Sequence, residues 1–360
     1  MKVASGKTPI ITRRDTDGQP AWRRELGRAI TEPEALLGML RLDRSLLPAA
    51  SAAARSFGLR VPRGFAARMK PGDPDDPLLR QVLPLAAELE NVPGFVPDPV
   101  GDRPAEERRG VLRKYRGRTL LIASGSCAVH CRYCFRREFP YAGHVAASRG
   151  WADALAAVAT DASTREVILS GGDPLTLSDA TLCRLTDGLR EIPHVTRLRI
   201  HTRLPVVLPE RVDSGLCRWL ASLPWHVCIV LHFNHAQEID GDVTAAVRRL
   251  RDTGALLLNQ SVLLKSVNDD PRVLANLSET LFAAGILPYY LHVLDPVRGA
   301  AHFDVPEHRA RRIAAALAAR LPGYLTPRLV REVPGASAKS LVGPFAENAT
   351  PEPLPPRPQM

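Results

Sequence analysis

The 360-residue chain is 45% hydrophobic, yet no window of it approaches the length of a transmembrane span. A helical membrane protein is therefore excluded as an expectation. The first residues, MKVASGKTPIITRRDTDG, contain no apolar run of the kind a secretory leader needs, and the sequence predicts a protein of the cytoplasm. Aromatic residues are few, at 5%, and do not interleave with basic ones, which argues against a nucleic-acid surface despite a net charge of +10. An acidic protein partner would fit the same charge. Lysine is scarce as well: Lys2, Lys7, Lys70, Lys114, Lys265 and Lys339 are all there are, and the arginines that carry most of the charge are scattered over many predicted helices. Nothing beyond its six cysteines looks secreted, so a disulfide framework is a poor explanation for them.

Three of those cysteines are concentrated in SGSCAVHCRYCFRREFPY, residues 124–141, where Cys127, Cys131 and Cys134 stand in a C-x3-C-x2-C arrangement. Thiolates are soft ligands that suit zinc or iron–sulfur clusters. A closed structural zinc site takes four ligands, and the local count stops at three unless His130 is the fourth. On a four-iron cluster, three thiolates leave one iron open to a small molecule. Cys183, Cys217 and Cys228 sit singly in apolar surroundings and read as buried, inert thiols.

Residues 1–110 read as an accessory, mainly helical region. AWRRELGRAI and TEPEALLGMLRLD have helical spacing, Thr31 and Glu34 form a candidate capping box, and LLRQVLPLAAELE is a further helix candidate. Residues 91–104, rich in proline, glycine and aspartate, read as a linker or surface loop. From about residue 111 short strand-like runs alternate with helical stretches. The strands are TLLIAS (119–124), EVILS (166–170), RLRIHT (197–202), VCIVLHF (227–233), LLLNQSVLL (256–264) and PYYLHVLD (288–295). Such alternation predicts βαβ units and a parallel sheet. Six units suggest an α/β fold, a partial (β/α)6 TIM-like barrel over residues 111–343, with chemistry at the C-terminal ends of its strands. YLTPRLVREV reads as a short final strand, and residues 344–360 as a proline-rich flexible tail.

Two further stretches can carry chemistry. Ser170-Gly171-Gly172-Asp173-Pro174 closes the second strand, where adjacent glycines allow close backbone approach and free N–H and carbonyl groups can hold an amino acid. Lys339, in PGASAKS, follows a glycine and small residues just past a strand; its amine could form a Schiff base with a carbonyl such as pyridoxal phosphate (PLP).

The cysteine spacing, with an aromatic Tyr133 before the third cysteine, resembles radical S-adenosylmethionine (SAM) enzymes. Combined with RVPRGFAARM, KYRGR, LSGGDPL, HTRLPVV, LHFNHAQE, LLNQSVLLKSVND, PYYLHVLD and PGASAK, the chain resembles lysine 2,3-aminomutases over roughly residues 55–343. The resemblance implies a [4Fe–4S] cluster on Cys127, Cys131 and Cys134, SAM on its open iron, and PLP on Lys339. Lys114, Tyr115 and Arg118 match contacts to the PLP phosphate, with Lys114 standing where arginine is common. Ser170, Gly171, Gly172 and Asp173 match the segment that grips the SAM amino group, and His232 and Gln260 match residues that hydrogen-bond SAM. Arg136 matches the arginine that binds the substrate carboxylate. Asp295 and Glu332 match the acids that bind its distal amine, Glu332 replacing an aspartate. Paired carboxylates favour a cationic side chain, which ranks lysine above glutamate and leaves arginine open.

The compact form, KYRGR, CRYCFRREFPY and Glu332 look like the branch that makes (R)-β-lysine for elongation factor P, onto which a separate β-lysyl ligase transfers it. That branch implies L-lysine as substrate, a reductant protein as electron source and possible self-association. A free-standing lysine or arginine 2,3-aminomutase is the alternative enzyme. A metal-stabilised nucleic-acid or protein-binding factor is the alternative outside catalysis; it explains the cysteines and the charge and leaves Lys339, KYRGR and the two acids as coincidence.

Overall fold

The computed structural model describes residues 19–149 and 151–343. The expectations for the first 18 residues, for Lys2 and Lys7 and for the 344–360 tail lie outside the described residues. One sheet of ten strands runs in sequence order. β1 (Glu106–Arg108), β2 (Val111–Leu112) and β3 (Arg118–Ser124) are antiparallel neighbours. From β3 onward the pairing is parallel through β4 (Glu166–Gly171), β5 (Arg197–Thr202), β6 (His226–Leu231), β7 (Leu256–Val262), β8 (Leu287–His292) and β9 (Arg328–Arg331). β10 (Ser340–Leu341) folds back antiparallel on β9. The six predicted barrel strands are therefore present, and the expected final strand extends the parallel run by one.

Helices cross over between the strands, and their starts are legible in side chains. Ser178, Asp213, Asp240 and Asp270 each accept a backbone N–H at the N-terminus of the helix that follows. The strand period of two then divides each strand between two environments. In β5, Leu198 and Ile200 are buried beneath the helices, whereas Arg199 and His201 face a cavity. Gln260 and Val262 of β7, Tyr290 and His292 of β8, and Arg328 and Val330 of β9 line the same cavity. Seven consecutive parallel strands can border one cavity only if the sheet is curved around it, which is the partial barrel.

The N-terminal region departs from expectation in three places. Its second helix is Pro33–Met39 with Glu32 at the N-cap and no capping side chain, because Pro33 is itself pre-organised for the first helical position; the Thr31–Glu34 capping box does not form. The stretch read as one helix from LLRQVLPLAAELE is broken by Pro84 into Pro77–Arg80 and a 3-10 turn, Ala86–Leu89. An alanine-rich segment, Leu47–Ser56, forms a helix beyond the predicted ones. Trp22, Leu36, Phe65 and Leu79 share one hydrophobic cluster with Leu121, Leu169, Leu198 and Ile229 of the barrel. No helix among the described residues is long and apolar enough to cross a membrane.

Candidate active site

Cavity-lining residues come from the inner faces of the strands, the loops after them and the segment ahead of β3, around a space of about 490 Å³, inside the usual range of cofactor sites, ~300–1,000 Å³. Cys127, Cys131 and Cys134, on the loop after β3, all line it. Burial pushes the Cys127 thiol well above its ordinary value, and the neighbouring Cys134, Asp173 and Cys131 add to the shift. Burial and then Cys131 push Cys134 up to about 11. The resistance of Cys127 and Cys134 to ionisation is what a cationic metal centre would relieve. Among the described residues no three His, Cys, Asp or Glu side chains converge as ligands of a single ion. His130 is turned away from a ligand role: its Nδ1 pairs with the Gly58 carbonyl at 2.8 Å and its ring stacks on Phe57. The remaining cysteines, Cys183, Cys217 and Cys228, are half-buried rather than fully buried.

The loop after β4 is held by the cysteine loop itself. Gly171 has φ +117° and a Cβ there would lie 2.5 Å from the Ser124 carbonyl; one on Gly172 would lie 2.4 Å from the Ser126 carbonyl. Both glycines are therefore required by backbone approach. The N–H groups of Gly172 and Asp173 donate to Ser124 and Ser126 at 2.7 Å, so they are not free for a ligand as the sequence suggested. The Asp173 carboxylate is also committed, accepting from Thr202 Oγ1 and from the N–H groups of Leu175, Arg203 and Leu204. Burial pushes it up to about 6 against those donors. Ser170 Oγ and the Gly171 carbonyl face Arg136.

Arg136 is buried, with its Nε 2.6 Å from Asp102 Oδ2 and its Nη1 3.0 Å from Ser170 Oγ. Lys114 Nζ stands 2.7 Å from Asp102 Oδ1, off the line of a good hydrogen bond, and donates to the Val100 carbonyl at 2.7 Å. Burial works against ionising Asp102, but Arg136 and then Lys114 overcome it and hold the carboxyl low. Asp102 comes from the 91–104 segment read as a linker, and nothing local in the sequence marked it.

Lys339 Nζ pairs with Glu332, whose other oxygen lies 3.4 Å from Lys114 Nζ. Burial opposes ionising Glu332, yet Lys339 and Lys114 keep its carboxyl below the usual range. Asp295 has no cation on it; burial pushes its carboxyl up to about 7, with Lys339 opposing and Glu332 adding. The Tyr115 hydroxyl is buried without a partner and raised by burial and by Glu332, and Arg118 lies 5.2 Å over its ring. His232 Nε2 is 3.1 Å from the Tyr133 hydroxyl, and burial keeps the ring neutral; Gln260 lines the cavity beside it on the next strand. His201 and His292, not singled out from sequence, also line the cavity with unpartnered Nε2 atoms, and burial keeps both neutral. Every residue proposed from sequence as a ligand contact thus borders one space.

No family model matches the chain. Among curated proteins, an L-lysine 2,3-aminomutase of Escherichia coli (strain K12) is 47% identical over 327 residues, 91% of this chain and 95% of its own length. A protein of the same name from Haemophilus influenzae is 44% identical over 320 residues, 89% and 95% of the two chains. Another from Clostridium subterminale is 33% identical over 325 residues, 90% of this chain and 78% of its own.

Proposed function

This chain belongs to the lysine 2,3-aminomutase family, and on that premise we propose that it moves the α-amino group of L-lysine to the neighbouring carbon, giving (R)-β-lysine for attachment to elongation factor P by a separate ligase. It is an isomerase, so substrate and product hold the same atoms. One observation carries the assignment of its residues: three thiols, a lysine amine, a buried guanidinium and two carboxylates border a single cavity.

The family's cofactors are a [4Fe–4S] cluster, SAM and PLP, and the residues present fit them. Three neighbouring cysteines whose thiolates would repel one another suit a cationic cluster. The unpartnered Tyr115 hydroxyl, with Arg118 and Lys114, suits a phosphate, and Lys339 suits the carbonyl of PLP. When bound, the cluster and SAM supply hydrogen-atom abstraction, and PLP spreads the unpaired electron.

The chain's own residues then bind and orient. Arg136 is fixed by Asp102 and Ser170 through Nε and Nη1, neither of which uses Nη2, so the guanidinium presents a pre-aimed donor to the substrate carboxylate. Asp295 and Glu332 receive the distal ammonium. Glu332 pairs with the Lys339 ammonium, and where Lys339 holds PLP its carboxylate would be open to the substrate ammonium. His232 and Gln260 would hold SAM, and the Ser170–Asp173 loop, tied to Ser124 and Ser126, would border it. Burial of Arg136, Asp102, Ser170 and Asp173, with Asp295, Glu332, His232 and Gln260 half-buried, limits water around a reaction that water would divert.

The (R) product and the elongation-factor destination rest on KYRGR, CRYCFRREFPY and Glu332. The test is an anaerobic assay of protein reconstituted with iron and sulfide, given SAM, PLP, dithionite and L-lysine, with arginine and glutamate in parallel. (R)-β-Lysine is expected from lysine alone, and none from Lys339→Ala or Cys131→Ala. Exclusive (S)-β-lysine removes the elongation-factor branch. SAM cleavage without β-lysine moves the substrate to arginine or to a protein-borne lysine.

A further inference from the structure

We propose that Arg203 is a positioning residue for the cluster, donating a hydrogen bond to the Cys131 sulfur and setting how readily the cluster accepts its electron. This rests on the reading that Cys127, Cys131 and Cys134 hold that cluster.

Arg203 follows β5 in the HTRLPVV stretch, to which no role attached from sequence. Its backbone is locked: Asp173 takes the N–H groups of Arg203 and Leu204 and the Thr202 hydroxyl, all within 3.0 Å. Its guanidinium is held as firmly. Nη2 donates to Gln81 Oε1 at 2.6 Å and to Glu238 Oε2 at 3.0 Å, and Nη1 donates to the Tyr133 hydroxyl at 2.7 Å. Phe65 and Tyr133 lie beneath it at 5.5 and 5.8 Å. With those contacts made, Nη1 stands 2.8 Å from Cys131 Sγ. Three oxygens on three different segments fix the fork, so it is aimed at the sulfur by the protein and not drawn there by the thiol.

An ion pair with Glu238 is the plainer explanation, but it accounts for Nη2 alone. Glu238 already accepts the N–H groups of Asn234 and His235 and the Gln81 amide. The contact of Nη1 with sulfur is an additional bond that a partner for Glu238 does not require. Its physical effect has a definite sign. Reduction adds one negative charge to the cluster; dithionite supplies the electron through its sulfur dioxide radical anion, which becomes sulfite, and no bond at the cluster is made or broken. A buried cation against a ligating sulfur favours the more negative state, and an N–H donated to that sulfur weakens its electron donation to iron. Arg203 therefore raises the reduction potential.

The test uses full-length protein reconstituted anaerobically, wild type, Arg203→Gln and Arg203→Lys, with iron content measured for each. Wild-type protein carrying 15N-guanidino arginine is reduced with dithionite and examined by pulsed electron paramagnetic resonance. A 15N coupling to the cluster is expected, and it vanishes in Arg203→Lys. Redox titration should show the reduced-to-oxidised ratio at a fixed poise falling about tenfold in Arg203→Gln, or ~59 mV for one electron, with Arg203→Lys in between. No coupling in wild type, or coincident potentials in wild type and Arg203→Gln with full iron content, overturns the inference and leaves the cluster intact. Wild-type protein that takes up no iron overturns the cluster reading itself. If Arg203→Gln fails to fold, the wild-type coupling and the Arg203→Lys potential decide.

Discussion

Lys339 and Glu332, seven residues apart, form an ion pair inside the cavity, with Lys114 on the opposite oxygen of the same carboxylate. Removing the Lys339 amine leaves Glu332 still compensated by Lys114, so Lys339→Ala should fold. Lys339→Arg should keep the ion pair and lose the reactive amine, since a guanidinium stays protonated. Both variants are expected to lose retained pyridoxal absorbance after desalting, to trap no pyridoxyl group on borohydride reduction, and to fall at least ~1,000-fold in turnover, the scale of losing a covalent group. Urea unfolding free energies within ~1 kcal/mol of wild type would separate this from misfolding.

Asp295 supplies a pH signature. Its folded carboxyl sits at about 7 against an ordinary 3.8, raised mainly by burial. Between those values the folded chain holds a proton that the unfolded chain has lost, so this group's contribution to stability declines as pH rises through the window. Asp295→Asn should remove that decline and raise the melting temperature of ligand-free protein above pH 7. Lysine affinity should move the other way, strengthening as the carboxylate forms from pH 6 to 8. In Asp295→Asn the affinity should be flat in pH and weaker by ~10–100-fold, the loss of a charge-assisted bond worth ~1.5–3 kcal/mol. Calorimetric titration of lysine at several pH values reads both.

Gly172 is a steric switch between folded and unfolded. A methyl at its Cβ position meets the Ser126 carbonyl at 2.4 Å, and the N–H beside it is tied to Ser124. Gly172→Ala should cost ~1–3 kcal/mol, in the range of overpacking, and lower iron occupancy because the displaced loop at Ser126 leads into Cys127. Chemical denaturation and iron assay of the same samples test it.

Glu88 holds two buried guanidiniums, with Arg132 Nε at 2.8 Å, Arg132 Nη2 at 2.5 Å and Arg137 Nη2 at 2.7 Å. Glu88→Ala strands both cations and is expected to destabilise by ~3–5 kcal/mol. Glu88→Gln should be milder. Arg132 and Arg137 bracket Tyr133 and Cys134, so iron retention should fall with stability in this series.

The barrel was legible because buried parallel strands and amphipathic helices impose different periods, and EVILS and RLRIHT match their strands within a residue. Cys127, Cys131, Cys134 and Lys339 stood out in the sequence because few side chains can carry the chemistry proposed for them, and the fold brings all four to one cavity. What escaped was tertiary. Asp102 sits in a proline-rich loop that looks like any linker, and its value lies in two cations that arrive from residues 114 and 136. Arg203 resembled the many other arginines until Gln81, Tyr133 and Glu238 closed around it. The Gly171–Gly172 turn was expected to offer its N–H groups to a ligand; the cysteine loop claimed them, which spacing along one strand cannot reveal.

Asp102 and Glu88 together neutralise Lys114, Arg136, Arg132 and Arg137, and both acids lie ahead of the barrel's first parallel strand. Cut free of that leading region, the barrel would carry Arg132, Arg136 and Arg137 without the acids that neutralise them, and Lys114 with Glu332 alone. The two parts cannot be exchanged like interchangeable modules: a chimera that pairs this barrel with a foreign leading segment would inherit a site wired for charges it no longer receives, and would need matching acids at both positions before it could assemble.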